Sequence, residues 1–231
     1  MADFEGFPPT TMLFLSELAA NNDRQWFEEN RDRYESEVRG PALAFLRALE
    51  KPVGKLTSRL KVSPKKVGGS LMRIHRDVRF SKDKSPYKTN IGIHLRHEAG
   101  RDVHAPGAYV HIEPDDVFLG VGIWHPDSTA LKAIRERIAN EPKVWKRVRD
   151  AKRFRERFEL AGDTLKRPPR GFDAEHPYIE DLKRKDFIGV QSLDPGMITS
   201  RLMVKETVAA IRDARAFMEF LCVALRLPWT R

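Results

Sequence analysis

Four runs of residues between Leu71 and Trp124 alternate apolar and polar side chains with a period of two, and this alternation constrains the fold more than any other feature. Successive side chains of a β-strand point to opposite faces of a sheet, so each run is typical of a half-buried strand. The connections between the runs are short, which is typical of antiparallel neighbours. The sequence therefore predicts an antiparallel sheet with one apolar and one polar face. The apolar members of the four runs are, in order, Ile74, Val78 and Phe80; Ile91, Ile93 and Leu95; Val110 and Ile112; and Val117, Leu119, Val121 and Ile123.

Segments with helical periodicity lie on both sides of these strands, because their apolar residues recur at three- and four-residue steps. One more strand is predicted at Phe187–Ser192 and a long closing helix at Val204–Leu227. We therefore predict the α+β class, with N-terminal helices packed on one face of a mainly antiparallel sheet and further helices in the C-terminal half. The predicted organisation is one domain over 1–231, helical over 10–60, a sheet over 71–124, helical over 127–160, and a strand and closing helix over 186–227.

The balance of charges bears on partners. Forty-two Lys and Arg residues against thirty-three Asp and Glu give a formal charge of +9. A positive excess favours anionic partners such as nucleic acid or phosphorylated small molecules, although a basic protein without any such partner fits it equally well. Cys222 is the only cysteine, which excludes an intramolecular disulfide and fits a reducing cytoplasm. No run approaches the roughly eighteen apolar residues of a membrane span, so none is expected.

The stretch Arg73–Asn90 holds six Lys or Arg and two Asp residues and is the candidate binding site. As a strand it would place Arg73, Asp77 and Arg79 on one face, with about 7 Å between next-but-one neighbours. Asp77 could then orient the guanidinium groups toward a carboxylate or phosphate. Residues 81–89 add further donors but no glycine, which excludes a glycine-rich phosphate loop. The residues predicted to bind the anion are Arg73, Arg76, Arg79, Lys84, Tyr87, Lys88 and Asn90.

Arg76 differs from the other arginines because it falls on the apolar face of that predicted strand, beside Ile74 and Val78. A buried guanidinium without a partner would cost several kcal/mol. We therefore expect Arg76 to form a buried ion pair with an acid on the first helices.

Histidines and acids on the predicted polar face suggest acid–base chemistry. His111 or His75, oriented by Asp77 or Glu113, could exchange a proton with a ligand, so Asp77, His111 and Glu113 are the candidate catalytic residues. The same groups with His94 could instead hold a metal ion. Close ligand spacing such as H-x-x-x-H is absent, and chance placement of seven histidines explains the pattern better. We predict no metal and no cofactor.

Gly120 and Gly122 lie two apart on the polar face of the fourth run. Glycine inside a strand often marks the close approach of another group to the backbone. That group could be a ligand, or Trp26 or Trp124 folding over the sheet, and a packed tryptophan is the favoured interpretation.

The segment Lys143–Arg157 carries eight cations on a helix predicted after Pro142, with Val144, Val148 and Ala151 as its inward stripe. Such a helix could contact the phosphate backbone of a nucleic acid. A solvated amphipathic helix is the commoner meaning of such a run, and no RNA-recognition or zinc-finger signature accompanies it.

The candidate binding stretch also carries the pattern R-x-x-R-D-x-R-F-x-x-x-K-x-P-Y-K-x-N, and resembles the signature of a widespread bacterial family, domain of unknown function 2461. The likeness extends to FPPTTMLFLSELAANNDRQWFEENRDRYE, HIEPDDVFLGVGIW and LKRPPRGFDAEHP, and so to essentially the whole chain. The resemblance implies membership, but it supplies no activity, ligand or catalytic residue. The matching positions are Arg73, Arg76, Asp77, Arg79, Phe80, Lys84, Pro86, Tyr87, Lys88 and Asn90.

Three hypotheses for function remain. The preferred one is that the Arg- and Lys-rich sheet face and loop bind an anionic small molecule, phosphorylated or carboxylated, with hydrolysis or transfer as candidate reactions. The second is a non-enzymatic nucleic-acid-binding protein. In the third, the signature is architectural, ties helices to the sheet by buried ion pairs, and leaves function to protein–protein contact. The sequence does not predict an oligomeric state.

Overall fold

An antiparallel sheet of six strands forms the centre of the computed structural model, which describes residues 4–100 and 105–229. The strands are β1 (Leu60–Lys61), β2 (Ile91–His97), β3 (Gly107–Glu113), β4 (Asp116–Ile123), β5 (Glu159–Ala161) and β6 (Phe187–Ser192). Their order across the sheet is β1-β2-β3-β4-β6-β5. Strands β2, β3 and β4 coincide with the second, third and fourth alternating runs, and β6 with the strand predicted near the C-terminus. The predicted α+β class is confirmed.

Helices precede and follow the sheet. Before it come α1 (Thr10–Ala20), α2 (Arg24–Glu29), α3 (Arg31–Arg33), a π-helical turn (Tyr34–Arg39) and α4 (Gly40–Leu56). After β4 come α5 (Ser128–Asn140), α6 (Pro142–Arg149), α7 (Lys152–Arg155), α8 (Ile179–Leu182), a 3₁₀ turn (Pro195–Thr199), α9 (Leu202–Asp213) and α10 (Arg215–Ala224). Aspartates cap α2 and α5, since Asp23 accepts from the Trp26 N–H at 3.0 Å and Asp127 from the Ala130 N–H at 2.7 Å.

The helices bury the apolar face of the sheet. Helices α9 and α10 contact β4, and α4 packs on α9. Phe14 of α1 and Phe45 of α4 are fully buried in the same core as Ile93 and Ile112 of the sheet. Burial of one such side chain stabilises the fold by about 1.5–3 kcal/mol. Because the apolar face of the sheet packs into the core, the side chains of the opposite face are available to bind a ligand.

The first alternating run is not a strand, which corrects the prediction. Residues 71–90 form a loop that touches β2 through a single bridge, Leu71 to Ile93, and folds back on itself through a second bridge, His75 to Tyr87. Pro86 has no N–H to give to a ladder, and the two arms of the loop bond each other instead. Phe80, predicted to face the core, is 95% exposed. We call residues 73–90 the signature loop.

Two predicted helices are divided. The closing helix breaks at Ala214 between α9 and α10, and the basic helix breaks between α6 and α7. Val148 of α6 is buried as predicted, but its other inward residue is Trp145 and not the half-buried Val144. The large indole is fully buried, and its Nε1 donates to Asp181 at 2.8 Å. Within residues 4–100 and 105–229, no helix has both the length and the apolar character that a membrane crossing requires.

Candidate ligand-binding pocket

A pocket of about 440 Å³ opens on the face of the sheet that does not pack against the helices. Strands β2, β3, β4 and β6 form its floor, and one wall is formed by Met72, just before the signature loop, and by Lys88 and Asn90 at the end of that loop. Most of its lining is apolar, and its polar side chains come from the loop and from β2 and β3. We call this cavity the sheet pocket. Its lining consists of Met72, Lys88, Asn90, His94, Gly107, Tyr109, His111, Phe118, Gly120, Val121, Gly122, Trp124, Ile188 and Val190.

The pocket exists because β4 lacks side chains where its neighbours carry them. Gly120 pairs with Tyr109 on one side and Val190 on the other. A Cβ atom built on Gly120 meets no atom of the described residues closer than the Tyr109 Cβ at 3.7 Å, so the space above this glycine is open. Trp26 packs against Phe14 in the core instead of covering the glycine. The two glycines differ, because the space is open above Gly120, whereas a Cβ atom on Gly122 would lie 2.1 Å from the Phe187 carbonyl oxygen.

Trp124 stands at the edge of the pocket. Its side chain is 56% exposed and stacks on the His125 ring with 4.4 Å between centroids. His125 has a positive φ of 49°, and its backbone N–H donates to the buried carboxylate of Asp186 at 2.7 Å. That contact holds the turn after β4 and therefore the position of the tryptophan. An exposed indole beside a pocket is suited to cover the apolar part of a ligand.

His111 is the centre of the polar group in the pocket. Its Nε2 lies 3.3 Å from a carboxylate oxygen of Glu113, and its Nδ1 lies 3.3 Å from Asn90 Nδ2 and 3.4 Å from the Tyr109 hydroxyl. An ionised carboxylate can only accept, so a neutral His111 ring carries its proton on Nε2, and Nδ1 accepts from Asn90 or Tyr109. Thr89 fixes Glu113 in turn by donating to it at 2.6 Å.

The imidazole of His111 also stacks on Phe118, with centroids 4.6 Å apart and planes within 10° of parallel. The ring is thus held by its neighbours on one face and at both nitrogens. Of the acids proposed to orient a histidine, Glu113 makes the contact with His111, whereas Asp77 is bonded to Arg79 in the signature loop. This preorganisation is what proton exchange with a bound ligand requires.

Burial sets the charges in the pocket. It holds the pKa of His94 at about 4, well below the ordinary 6.5, with a smaller contribution from Arg96. Burial likewise raises the pKa of the Tyr109 phenol. His94 and Tyr109 are therefore uncharged at neutral pH. Among the described residues that line the pocket, Lys88 is the only Lys or Arg.

Of the residues predicted to bind an anion, Lys88 and Asn90 line the pocket. Tyr87 lies instead in the core, where its ring stacks on Phe27 with 4.1 Å between centroids. Asn22 binds the backbone of Tyr87 at both its N–H and its carbonyl, each at 3.0 Å. This part of the signature is architectural, because it ties the loop to the N-terminal helices by packing and hydrogen bonds.

The other predicted anion-binding residues lie outside the pocket lining. Arg76 pairs with Asp83 of the same loop and not with an acid on the first helices, which corrects that expectation. It is half-buried, because the loop is not a strand and has no core face to bury the guanidinium in. Lys84 donates to the Val78 carbonyl at 3.0 Å, and Arg73 is exposed and offers its carbonyl to Lys88.

Asp77 and Arg79 form an exposed pair, with two hydrogen bonds of 2.7 and 2.9 Å. Hydrogen bonds from Arg79 lower the pKa of Asp77 to about 2. We expect Arg79→Ala to raise this pKa toward its ordinary value but not fully to it, because the backbone N–H of residue 79 still donates to Asp77 at 3.3 Å. The melting temperature should stay unchanged, because exposed ion pairs stabilise little. Carboxyl NMR titration and thermal melts check this. A large drop in melting temperature would show that the pair is structural after all.

Sequence reasoning missed much of the apolar lining. Tyr109 and Phe118 share the polar face with His111 in the alternating pattern, and that shared face is the signal that could have found them. Ile188 and Val190 come from β6, which lies beside β4 although about 65 residues separate them in the chain. No local sequence pattern indicates that β6 pairs with β4. No group of three or more His, Cys, Asp or Glu in the described part of the chain is arranged to hold a metal ion.

The basic segment is partly used for structure. Arg149 contacts the buried Asp181 at 2.9 Å, and Arg157, in the turn after α7, pairs with Glu206 and Asp213 of α9. These two guanidinium groups are engaged within the protein, which reduces the number of cations available to a nucleic acid. A smaller, polar depression lies beside Arg149 and Arg155.

Comparison with known proteins agrees with the resemblance seen in the sequence. Searches of curated proteins and of solved structures return no match to this chain. A family model described as conserved hypothetical protein (DUF2461) matches residues 10–220, which include the whole sheet, the signature loop and every residue of the pocket lining. The chain therefore belongs to the DUF2461 family.

Proposed function

We propose that this protein binds a small organic anion with a planar apolar part in the sheet pocket. The observation that carries the proposal is the combination of a mostly apolar cavity of about 440 Å³ with a polar corner formed by Lys88, Asn90, Tyr109 and His111. Ligand pockets of this size, with few polar groups on one side, are typical of small-molecule sites.

The apolar part of the ligand would lie on β4. Gly120 offers a flat patch of backbone, flanked by the Tyr109 ring and the Val190 side chain. Phe118 and the exposed Trp124 extend this surface. A flat ring fits the patch at Gly120 better than a branched aliphatic group, since this position has no side chain to interlock with a branch.

The charge of the pocket supports an anionic head group. Lys88 is half-buried, and the described residues bring no carboxylate to its ammonium group. A carboxylate or phosphate would supply the missing counter-charge, with Asn90 and the Tyr109 hydroxyl as neutral donors. One lysine suits a singly or doubly charged head group rather than a polyphosphate.

Proton exchange is the chemistry that the pocket supports best. The His111 ring, held by Glu113 at 3.3 Å, has its other nitrogen directed to Asn90 and Tyr109 in the pocket lining. A hydrolytic or transfer reaction would use such an imidazole as acid or base. Nucleic-acid binding through the basic segment is the weaker candidate, because Arg149 and Arg157 are engaged in ion pairs within the protein.

Benzoate and phenyl phosphate are the probes that test the proposal, with inorganic phosphate as the control for charge alone. We expect both aromatic anions to raise the melting temperature of the protein, since binding to the native state stabilises it. Gly120→Val should keep the fold and abolish the shift, because its methyl groups occupy the open space above β4. Arg79→Ala, outside the lining, should bind like the wild type. Equal binding by the Gly120→Val variant would refute this site.

A further inference from the structure

Lys88 differs from the other lysines of the signature loop in its surroundings. Its side chain is half-buried and lines the sheet pocket, whereas Lys82 and Lys84 are exposed. Its Nζ donates to the Arg73 carbonyl at 3.0 Å, a neutral acceptor that positions the amine without stabilising its charge as a carboxylate would. The amine is therefore fixed at the wall of a mostly apolar cavity.

We propose that Lys88 is a nucleophilic amine that forms an imine with a carbonyl-bearing ligand, an aldehyde or a 2-oxo acid, bound in the sheet pocket. This inference rests on the proposed function in one respect, that the pocket admits a small organic molecule. The inference goes beyond the proposed function by assigning covalent chemistry to Lys88 and a class of substrate to the pocket.

The environment favours the reactive, neutral form of the amine. Burial lowers the pKa of Lys88, and the positive charge of Arg73 lowers it further. A lowered pKa increases the fraction of uncharged amine at neutral pH, and only that form carries the lone pair that attacks a carbonyl. Exposed lysines keep a strongly hydrated ammonium group and react more slowly.

The pocket supplies the proton transfers that imine formation needs. The lone pair of Nζ attacks the carbonyl carbon, a C–N bond forms, and the π electrons of the C=O bond move to oxygen, which takes a proton. The amine nitrogen loses one proton, and the hydroxyl of the resulting carbinolamine takes another and leaves as water while the C=N bond forms. The sum is carbonyl plus amine plus one proton, giving a protonated imine and one water.

Tyr109 and His111 are the groups that can serve these steps. Both line the pocket, and the Tyr109 hydroxyl lies 3.4 Å from His111 Nδ1. The phenol has an ordinary pKa of 10, which burial raises further, so it is protonated at pH 7 and can donate to the carbonyl oxygen. The His111 nitrogen can accept the proton that the amine releases. The apolar walls limit access of the water that would hydrolyse the imine.

Reductive trapping with benzaldehyde and sodium cyanoborohydride at pH 7 tests the proposal on the wild-type chain. Peptide mapping by mass spectrometry locates the benzylated lysines, and Lys82 and Lys84 of the same loop are matched internal controls. We expect Lys88 to be labelled about tenfold faster than either, because its lowered pKa leaves a larger neutral fraction and its amine is held in place by the Arg73 carbonyl. Labelling of Lys88 no faster than Lys82 and Lys84 overturns the proposal.

Benzoate and a charge-conserving variant separate this proposal from the binding function. Benzoate should protect Lys88 from benzaldehyde, and Lys88→Arg should keep the cation and lose the adduct at position 88. If benzoate stabilises the protein while Lys88 is not trapped selectively, imine formation is refuted and the binding function stands. If Lys88 is trapped selectively but neither aromatic anion shifts the melting temperature, the anion-binding function is refuted and the nucleophilic lysine stands.

Discussion

Gly122→Ala is expected to lower the free energy of unfolding by more than about 3 kcal/mol. Gly122 has a φ of 120°, a conformation that side chains rarely adopt. A Cβ atom there would lie 2.1 Å from the Phe187 carbonyl oxygen and 2.9 Å from the Phe217 ring. The carbonyl belongs to the paired strand β6 and the ring to the core, so neither can yield without breaking the pairing or the packing.

Gly120→Ala is the matched control, two residues away on the same strand. Its added methyl group meets only ordinary van der Waals contact with Tyr109 at 3.7 Å, and Gly120 has no positive φ. We expect a change within about 1 kcal/mol, in the stabilising direction, because alanine loses less backbone entropy than glycine. Urea denaturation of the two variants measures both effects. Equal destabilisation by the two substitutions would contradict the geometry described for β4.

A second large effect is expected from acid. Burial holds the pKa of His94 at about 4 in the folded protein, while the unfolded chain has the ordinary value of 6.5. The unfolded state therefore binds a proton more readily, so protonation of His94 favours unfolding. The stability of the protein should be unaffected by this group above pH 6.5 and fall as the pH is lowered toward 4, by about 3 kcal/mol in all.

Comparison with His94→Gln isolates this contribution, because glutamine is neutral at every pH of interest and of similar length. Carboxylates titrate near pH 4 in both proteins, so the difference between the two unfolding curves, measured from pH 7 to pH 4, reports His94 alone. We expect the wild type to lose more stability than the variant over this range. Parallel curves would mean that His94 is solvated and that the pocket is wetter than its lining suggests.

Part of the pocket could be predicted from the sequence, for a local reason. The period-two pattern correctly assigned His111 and Gly120 to the face opposite Val110 and Leu119, since side chains of a strand must alternate. The same rule failed for residues 73–80. The sequence of these residues does alternate between apolar and polar side chains. However, Pro86 and the hydrogen bonds between the two arms of the loop leave only isolated β-bridges, and Phe80 faces solvent.

Two of the seven residues predicted to bind an anion, Lys88 and Asn90, line the pocket. Arginines were predicted to form the anion site because guanidinium groups bind carboxylates and phosphates. In the structure, Arg76 forms an ion pair with Asp83 and Arg79 with Asp77, all within the signature loop. These aspartates neutralise the charges of the two arginines. The sequence shows that the acids are near in the chain, but not which arginine each acid contacts. Lys88, one cation among six, is the one that lines the pocket. Its distinction comes from burial, which local charge patterns do not report.

The amino-acid sequence by itself determined the class of the fold, the position of four of the strands and the family, because these depend on periodicity and on a long, specific pattern of residues. The tertiary structure alone decided which side chains meet. Strand β6 comes to lie beside β4 and brings Ile188 and Val190 to a floor whose glycines lie some 70 residues earlier in the chain. Contacts between distant segments are selected by the packing of the whole core, where the gain from burial outweighs the entropy of closing a long loop. For this reason the complete lining of the pocket could not be predicted from any local pattern.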